Sequence, residues 1–261
     1  MHFPSSRTAI VVAHPGHELR VHGLLCAARP RLFVLTDGSG RSGASRLAFT
    51  TALLEAAGGV AGPIYGRLTD AQAYAAILEG EFHRWIALVE ELAAALEEDR
   101  IDCVAGDAVE GFNPTHDLCR LLINAAVELV RRRTGAAPRN FDFPLDGPPG
   151  PCGESLLPRA LTLRLDDDAL ARKMRAARAY TALTGEVDAA LRDHPQEAFR
   201  VECLRPVEYA LDLDGLIDDP PFYETHGERQ VAAGHYDRVL RYRQHIVPIA
   251  AALRARIAAE G

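Results

Sequence analysis

Three short apolar runs, "TAIVVA" (8–13), "RLFVLT" (31–36) and "RIDCVAG" (100–106), constrain this chain most. Each is too short for a helix, rich in β-branched or aliphatic residues, and followed by turn-forming residues, so each reads as a buried strand. Between them the apolar spacing becomes helical, over 17–28, over 44–57 and over 81–98, where Phe82, Trp85, Ile86, Val89 and Leu92 recur. Another helix follows Pro114, with Leu118, Leu121, Leu122, Ala125 and Leu129 on one face. Strands alternating with helices predict a mostly parallel sheet covered on both sides, a Rossmann-like three-layer α/β/α fold. Such sheets form their sites in loops at the carboxyl ends of the strands.

Further along, "RNFDFPLDGPPGPCGESLLP" (139–158) is dense in Pro and Gly and reads as a surface loop. "LTLRL" (161–165) reads as a strand, and 167–193 as one long helix opened by acidic residues that suit a helix N-terminus. Residues 199–226 are mixed and 228–259 mostly helical. The expectation is a single domain over 1–261, with a core over 1–195 and a C-terminal elaboration over 196–261.

A net charge of -7, with Arg131-Arg132-Arg133 the one short basic cluster, argues against a nucleic-acid partner. No stretch approaches the roughly 20 apolar residues of a membrane span, and the N-terminal run is too short for a secretory signal. The five cysteines (Cys26, Cys103, Cys119, Cys152, Cys203) are odd in number and scattered, without CxxC spacing. They predict neither a disulfide framework nor a thiolate zinc site, and hence a reducing, cytoplasmic setting. No oligomer interface can be read.

Two histidine stretches stand where the sheet would place a site. In "AHPGHE" (13–18) a strand ends, Pro15 turns the chain, and His14 and His17 lie three apart across the turn. In "EGFNPTHD" (110–117) Asn113 suits an N-cap and Pro114 the first helical position, which puts His116 in the first turn. Three neutral imidazoles there could hold Zn²⁺, or another divalent ion such as Fe²⁺, and leave a fourth position for water. Spacing alone equally allows ordinary helix-start histidines, since the chain has 10 histidines. His22 falls five residues beyond His17, on another face, and His83, His194 and His245 read as surface groups.

These stretches resemble the LmbE-like, or PIG-L, family of zinc-dependent de-N-acetylases, which carries "AHPDDE" after its first strand, "TxG" after the second and "HPDH" after a later one. Here they read "AHPGHE", "TDG" (36–38) and "NPTHD" (113–117), in the same order and on the same elements. "RKMRAARAY", "AFRVECLRPVEYA" and "PPFYETHGERQVAAGHY" are similar to a longer branch often linked to carbohydrate metabolism. The resemblance implies metal-dependent removal of an N-acetyl group from an amino sugar or sugar conjugate, with a small N-acetylated sugar derivative as substrate. It also implies that His14, His17 and His116 are the metal ligands.

The departures are concentrated at catalytic positions. His17 stands where the family has an Asp ligand, and Gly16 where it has its general base. Asn113 replaces a catalytic His, and Thr115 replaces the Asp that orients it. Asn113 can donate to an oxyanion but cannot act as an acid near neutral pH. A relocated proton carrier could be Asp37, Asp107 or Glu110, each of which also reads as a cap or surface group. The rival is a non-hydrolytic metal- or carbohydrate-binding protein on the same fold.

"TDGSGRSGASR" (36–46) lacks a phosphate-loop pattern and reads either as a flexible turn or as a rim on which Arg41 or Arg46 meets a polar or anionic substrate group. "PPFYETHGERQ" (220–230) reads either as a loop bringing Glu224 and His226 onto a sugar, or as a helix entry. No GxSxG elbow, cysteine signature or GxGxxG is present, which disfavours nucleophilic and nicotinamide chemistry.

Overall fold

The computed structural model describes residues 7–40, 42–207, 211 and 217–260. Four strands and their helices come first: β1 (Thr8–Val12), α1 (His22–Ala28), β2 (Arg31–Thr36), α2 (Leu47–Ala57), β3 (Val60–Leu68), α3 (Asp70–Leu78), α4 (Phe82–Glu98), β4 (Cys103–Asp107) and α5 (Pro114–Thr134). β5 (Arg139–Phe143), β6 (Leu161–Arg164), α6 (Asp167–Ala179), α7 (Thr184–Asp193), β7 (Val201–Pro206), α8 (Phe222–Ala232) and α9 (Val247–Ala258) complete the chain. A 3-10 turn over His17–Val21 leads into α1.

The strands form one sheet in the order β3-β2-β1-β4-β5-β7-β6. β3 through β5 pair in parallel, while β7 runs antiparallel to both β5 and β6. The chain leaves β1 toward β2 on one side and returns to β4 on the other. The switch point therefore lies between β1 and β4, where such sheets open a crevice.

Strand alternation divides the core into two layers. Ala9 and Val11 of β1 face Trp85, Leu118, Leu121 and the other apolar residues of α4 and α5. Ile10 and Val12 face Leu24, Leu25 and Leu54 of α1 and α2. α9 packs Ile249, Leu253 and Ile257 into the first of these layers, so this part of the C-terminal elaboration is scaffold. Close packing at the switch point demands glycine at 106, where a Cβ would stand 2.3 Å from the Val11 carbonyl oxygen and 2.5 Å from Ile123 Cδ1.

Several expectations change. The stretch read as a loop over 139–158 begins with β5, whose Phe141 and Phe143 are buried. β3 and α3 fall in a segment to which no element was assigned. The helix expected over 167–193 breaks at Tyr180, which ends α6, and a 3-10 turn precedes α7. Of the two readings of 220–230, helix entry is the one found, with helix over Phe222–Ala232. Cys152 and Cys203 form a disulfide with Cα atoms 5.7 Å apart, contrary to the expectation of unpaired thiols. That bridge removes the ground on which a reducing compartment was expected. Among the described residues no helix is long and apolar enough to cross a membrane.

Two outcomes check this packing. Gly106→Ala should lower unfolding stability by about 2–4 kcal/mol in chemical denaturation, because the clash is with backbone. A non-reducing peptide map should recover residues 152 and 203 in one linked species that separates on reduction.

Candidate active site

The turn after β1 and the first turn of α5 bring His14, His17 and His116 together. Their ring centroids are 5.3 Å (His14–His17), 5.1 Å (His14–His116) and 4.6 Å (His17–His116) apart. Three imidazoles on one tetrahedral zinc, with nitrogens at about 2.0–2.1 Å, would have centroids about 5 Å apart. Among the described residues no three His, Cys, Asp or Glu side chains form a ready-made metal cage, so the fit rests on ring spacing, burial and free nitrogens.

The free nitrogens are identifiable. His14 Nδ1 donates to Asp70 Oδ1 at 3.0 Å, and its Nε2 is buried without a partner. Thr36 Oγ1 lies 2.7 Å from the same Nδ1 and also donates to Asp70 at 2.5 Å. His17 Nδ1 donates to Asp107, 2.9 and 3.0 Å from its two oxygens. His116 Nδ1 is buried and unpartnered. Carboxylates behind ligand histidines fix the tautomer and raise the basicity of the outward nitrogen, a recurrent arrangement at metal sites. Burial lowers the pKa of His14, and burial together with the neighbouring imidazoles takes His116 well below the usual value. Both are held neutral, the form that donates a lone pair. Burial alone would raise Asp70, but its bonds from His14, Thr36 and the Gly40 N–H outweigh this and keep it well below the usual carboxylate range.

The histidines open into a cavity of about 660 Å³, also lined by Arg46, Asp70, Tyr74, Asn113 and the turn His235–Arg238. Arg46 lies over Gly38, with its Nε buried and unpartnered. Asn113 caps α5, its Oδ1 accepting from the Thr115 N–H at 2.8 Å, which leaves its amide hydrogens as donors. Arg41 lies outside the described residues.

Other expected site residues have structural partners away from this wall. Asp37 Oδ1 accepts from the Ser39 N–H and hydroxyl. Asp107 is fully buried behind His17 and also accepts from the Ala13 N–H at 2.7 Å. Glu110, pushed up to about 7 by burial, accepts from the Leu145 and Asp146 N–H groups and anchors that loop. Glu224 accepts from the Tyr242 N–H and from Arg241, joining α8 to the turn before α9. His226 packs against Phe222. Neither Glu224 nor His226 lines the cavity, because α8 continues past them and the turn beyond it makes the approach. Asp70 and His235–Arg238 are the additions that sequence reading missed.

A side chain at Gly16 would be strained and would require the Leu183 side chain to move. The glycine's φ is +107°, and a Cβ there would stand 2.3 Å from Leu183 Cδ1. Glu18, also buried, holds the turn by accepting from the Gly16 N–H at 2.8 Å and from Thr50 Oγ1 at 2.6 Å. The space beside Gly16 is thus filled from the α6–α7 junction.

No protein-family model matches the chain, and no curated protein matches it. Solved structures do. The zinc-inhibited form of the teicoplanin deacetylase Orf2 superposes with a TM-score of 0.56 at 13% identity, over 78% of this chain and 99% of that one. The conserved protein TT1542 from Thermus thermophilus gives 0.52 at 18% identity, over 80% and 98%. A deacetylase–bog complex from the teicoplanin biosynthesis pathway gives 0.52 at 13%, over 78% and 100%. The chain shares the mostly parallel α/β fold of these structures. At these identities the likeness is one of architecture, and it agrees with the order of the sequence motifs.

Restoring the family residue should therefore fail structurally. Gly16→Asp should lose about 2 kcal/mol of stability through left-handed strain and overpacking, and Leu183→Ala should recover part of that loss in the double variant. Denaturation midpoints of the four proteins measure this; an unchanged Gly16→Asp midpoint would contradict the geometry.

Proposed function

We propose that this protein is a metal-dependent amide hydrolase that removes an N-acetyl group from an amino sugar or sugar conjugate, with His14, His17 and His116 as ligands. The convergence of three imidazoles at the sheet's switch point, two of them buried and carrying unpartnered nitrogens, carries the reading. The teicoplanin deacetylase neighbours support its chemistry. Zn²⁺ suits an all-nitrogen set and Fe²⁺ is also accommodated. A bound ion would supply Lewis acidity toward the amide carbonyl and acidify water at neutral pH.

The chain's own residues supply the rest. Asp70 and Asp107 orient His14 and His17 so that Nε2 of each carries the lone pair. Asn113 offers its amide N–H to the oxygen on which negative charge develops. Arg46 receives a polar or anionic part of the substrate. With glycine at position 16 and Asp37, Asp107 and Glu110 engaged elsewhere, the proton carrier must come from another part of the cavity wall. His235, whose Nδ1 is satisfied by Gln230 Oε1 at 3.0 Å, offers its Nε2, and Asp237 lies two residues on.

The filled position at Gly16 also sustains a second reading, a non-hydrolytic metal- or carbohydrate-binding protein. Protein purified without a metal-binding tag should carry about one zinc or iron per chain by mass spectrometry, and His116→Ala should lose most of it. Acetate release from N-acetylglucosamine and its conjugates, stopped by chelator and restored by zinc, supports hydrolysis. Metal without acetate release favours the binding protein, and no metal after soaking in zinc contradicts both metal readings.

A further inference from the structure

Behind the candidate site, α2 and α6 enclose a groove of about 510 Å³ that shares no lining residue with the cavity at the histidines. Its walls are apolar: Phe49, Ala52 and Leu53 on one side, Ala176, Ala179 and Tyr180 on the other. Phe49 stacks on Tyr180 with centroids 5.0 Å apart. Two features make it more than an uncovered apolar face. Arg172 and Arg175 stand exposed at its rim, and neither has an ion-pair or hydrogen-bond partner for its guanidinium among the described residues. His22, only 6% exposed, also lines the groove, and its ring nitrogens meet nothing but the Cys26 thiol at 3.8 and 3.9 Å.

Apolar walls, a buried imidazole without an oxygen or nitrogen partner and two free guanidiniums select a ligand with an apolar body and one negative head. We infer that this groove binds an amphipathic carboxylate, an alkyl or aryl acid, with its chain between α2 and α6 and its head at Arg172 and Arg175. The volume falls within the range of small-molecule sites. The charge complementarity argues against an uncharged apolar partner, and the exposed arginines against a dry helix-to-helix contact. Tyr180 also places the groove one layer behind the turn at Gly16, since its hydroxyl lies 3.0 Å from Thr50 Oγ1, which donates to Glu18. The inference goes beyond the hydrolase reading and requires no metal.

Isothermal titration of the full chain with decanoate, in the presence of chelator, tests it. Saturable binding at one site is expected. Arg172→Gln with Arg175→Gln should weaken it about tenfold, as two exposed charge contacts would. Ala52→Trp, which fills the groove from an exposed position, should abolish it, and decanol should bind more weakly than decanoate. No saturable binding, or equal affinity in the double arginine variant, would overturn the inference. So would sedimentation showing a dimer that Ala52→Trp dissociates, because the groove would then belong to a second copy of the chain.

Discussion

Asp107, buried at the end of β4, accepts from the Ala13 backbone and from His17 Nδ1. A carboxylate without solvent is expensive unless hydrogen-bonded, and here its partners are the two features that shape the switch point. One bond fastens the end of β1 to the end of β4 beyond their last paired residues. The other aims an imidazole from the turn toward His116 across the crevice. Arg120 Nε donates to the Asp107 carbonyl oxygen at 2.6 Å, so the main chain at this residue is fixed from α5, the helix that presents His116. Asp70 does the same for His14 from α3. The three rings are thereby held by three different parts of the fold, which is how a site stays organised on short turns.

The positions at which the sequence departs from the motif it resembles are packed by neighbouring side chains. Leu183, from the junction where the long C-terminal helix is broken, fills the space a Cβ at Gly16 would take. Glu18 then secures the turn from beneath through Gly16 and Thr50. At His17 the carboxylate stands one layer behind the imidazole, at Asp107, and not at the cavity surface. An all-imidazole set leaves more positive charge facing the cavity than a mixed set would, and Arg46 adds to it. A cavity of that sign favours negative charge developing on a bound carbonyl or carried by the substrate.

What the sequence revealed follows from which interactions are local. β1, β2 and α5 were legible because burial on both faces imposes apolar runs and helical periodicity, and the Asn113–Pro114 cap is written in adjacent residues. β3, "VAGPIYGRL", was missed because an edge strand tolerates Pro63 and the glycines that elsewhere signal a turn. With it went α3 and therefore Asp70, whose role depends on reaching back across the sheet to His14. β5 has only Phe141 and Phe143 facing inward before a proline-rich tail, too few residues to show alternation. The approach of His235–Arg238 and the pairing of Cys152 with Cys203, 51 residues apart, are tertiary facts with no local pattern. The two readings of "PPFYETHGERQ" could not be separated in sequence because Pro220 and Pro221 suit a loop as well as the helix entry that the structure has.

The central claim is that His14, His17 and His116 form a metal set. X-ray absorption at the zinc edge, on protein loaded with one equivalent and freed of excess, tests it most directly. Three imidazole nitrogens at about 2.0–2.1 Å, with one further light atom and no sulfur, are predicted. A first shell with one imidazole or none, or zinc that washes away with the excess, would contradict it.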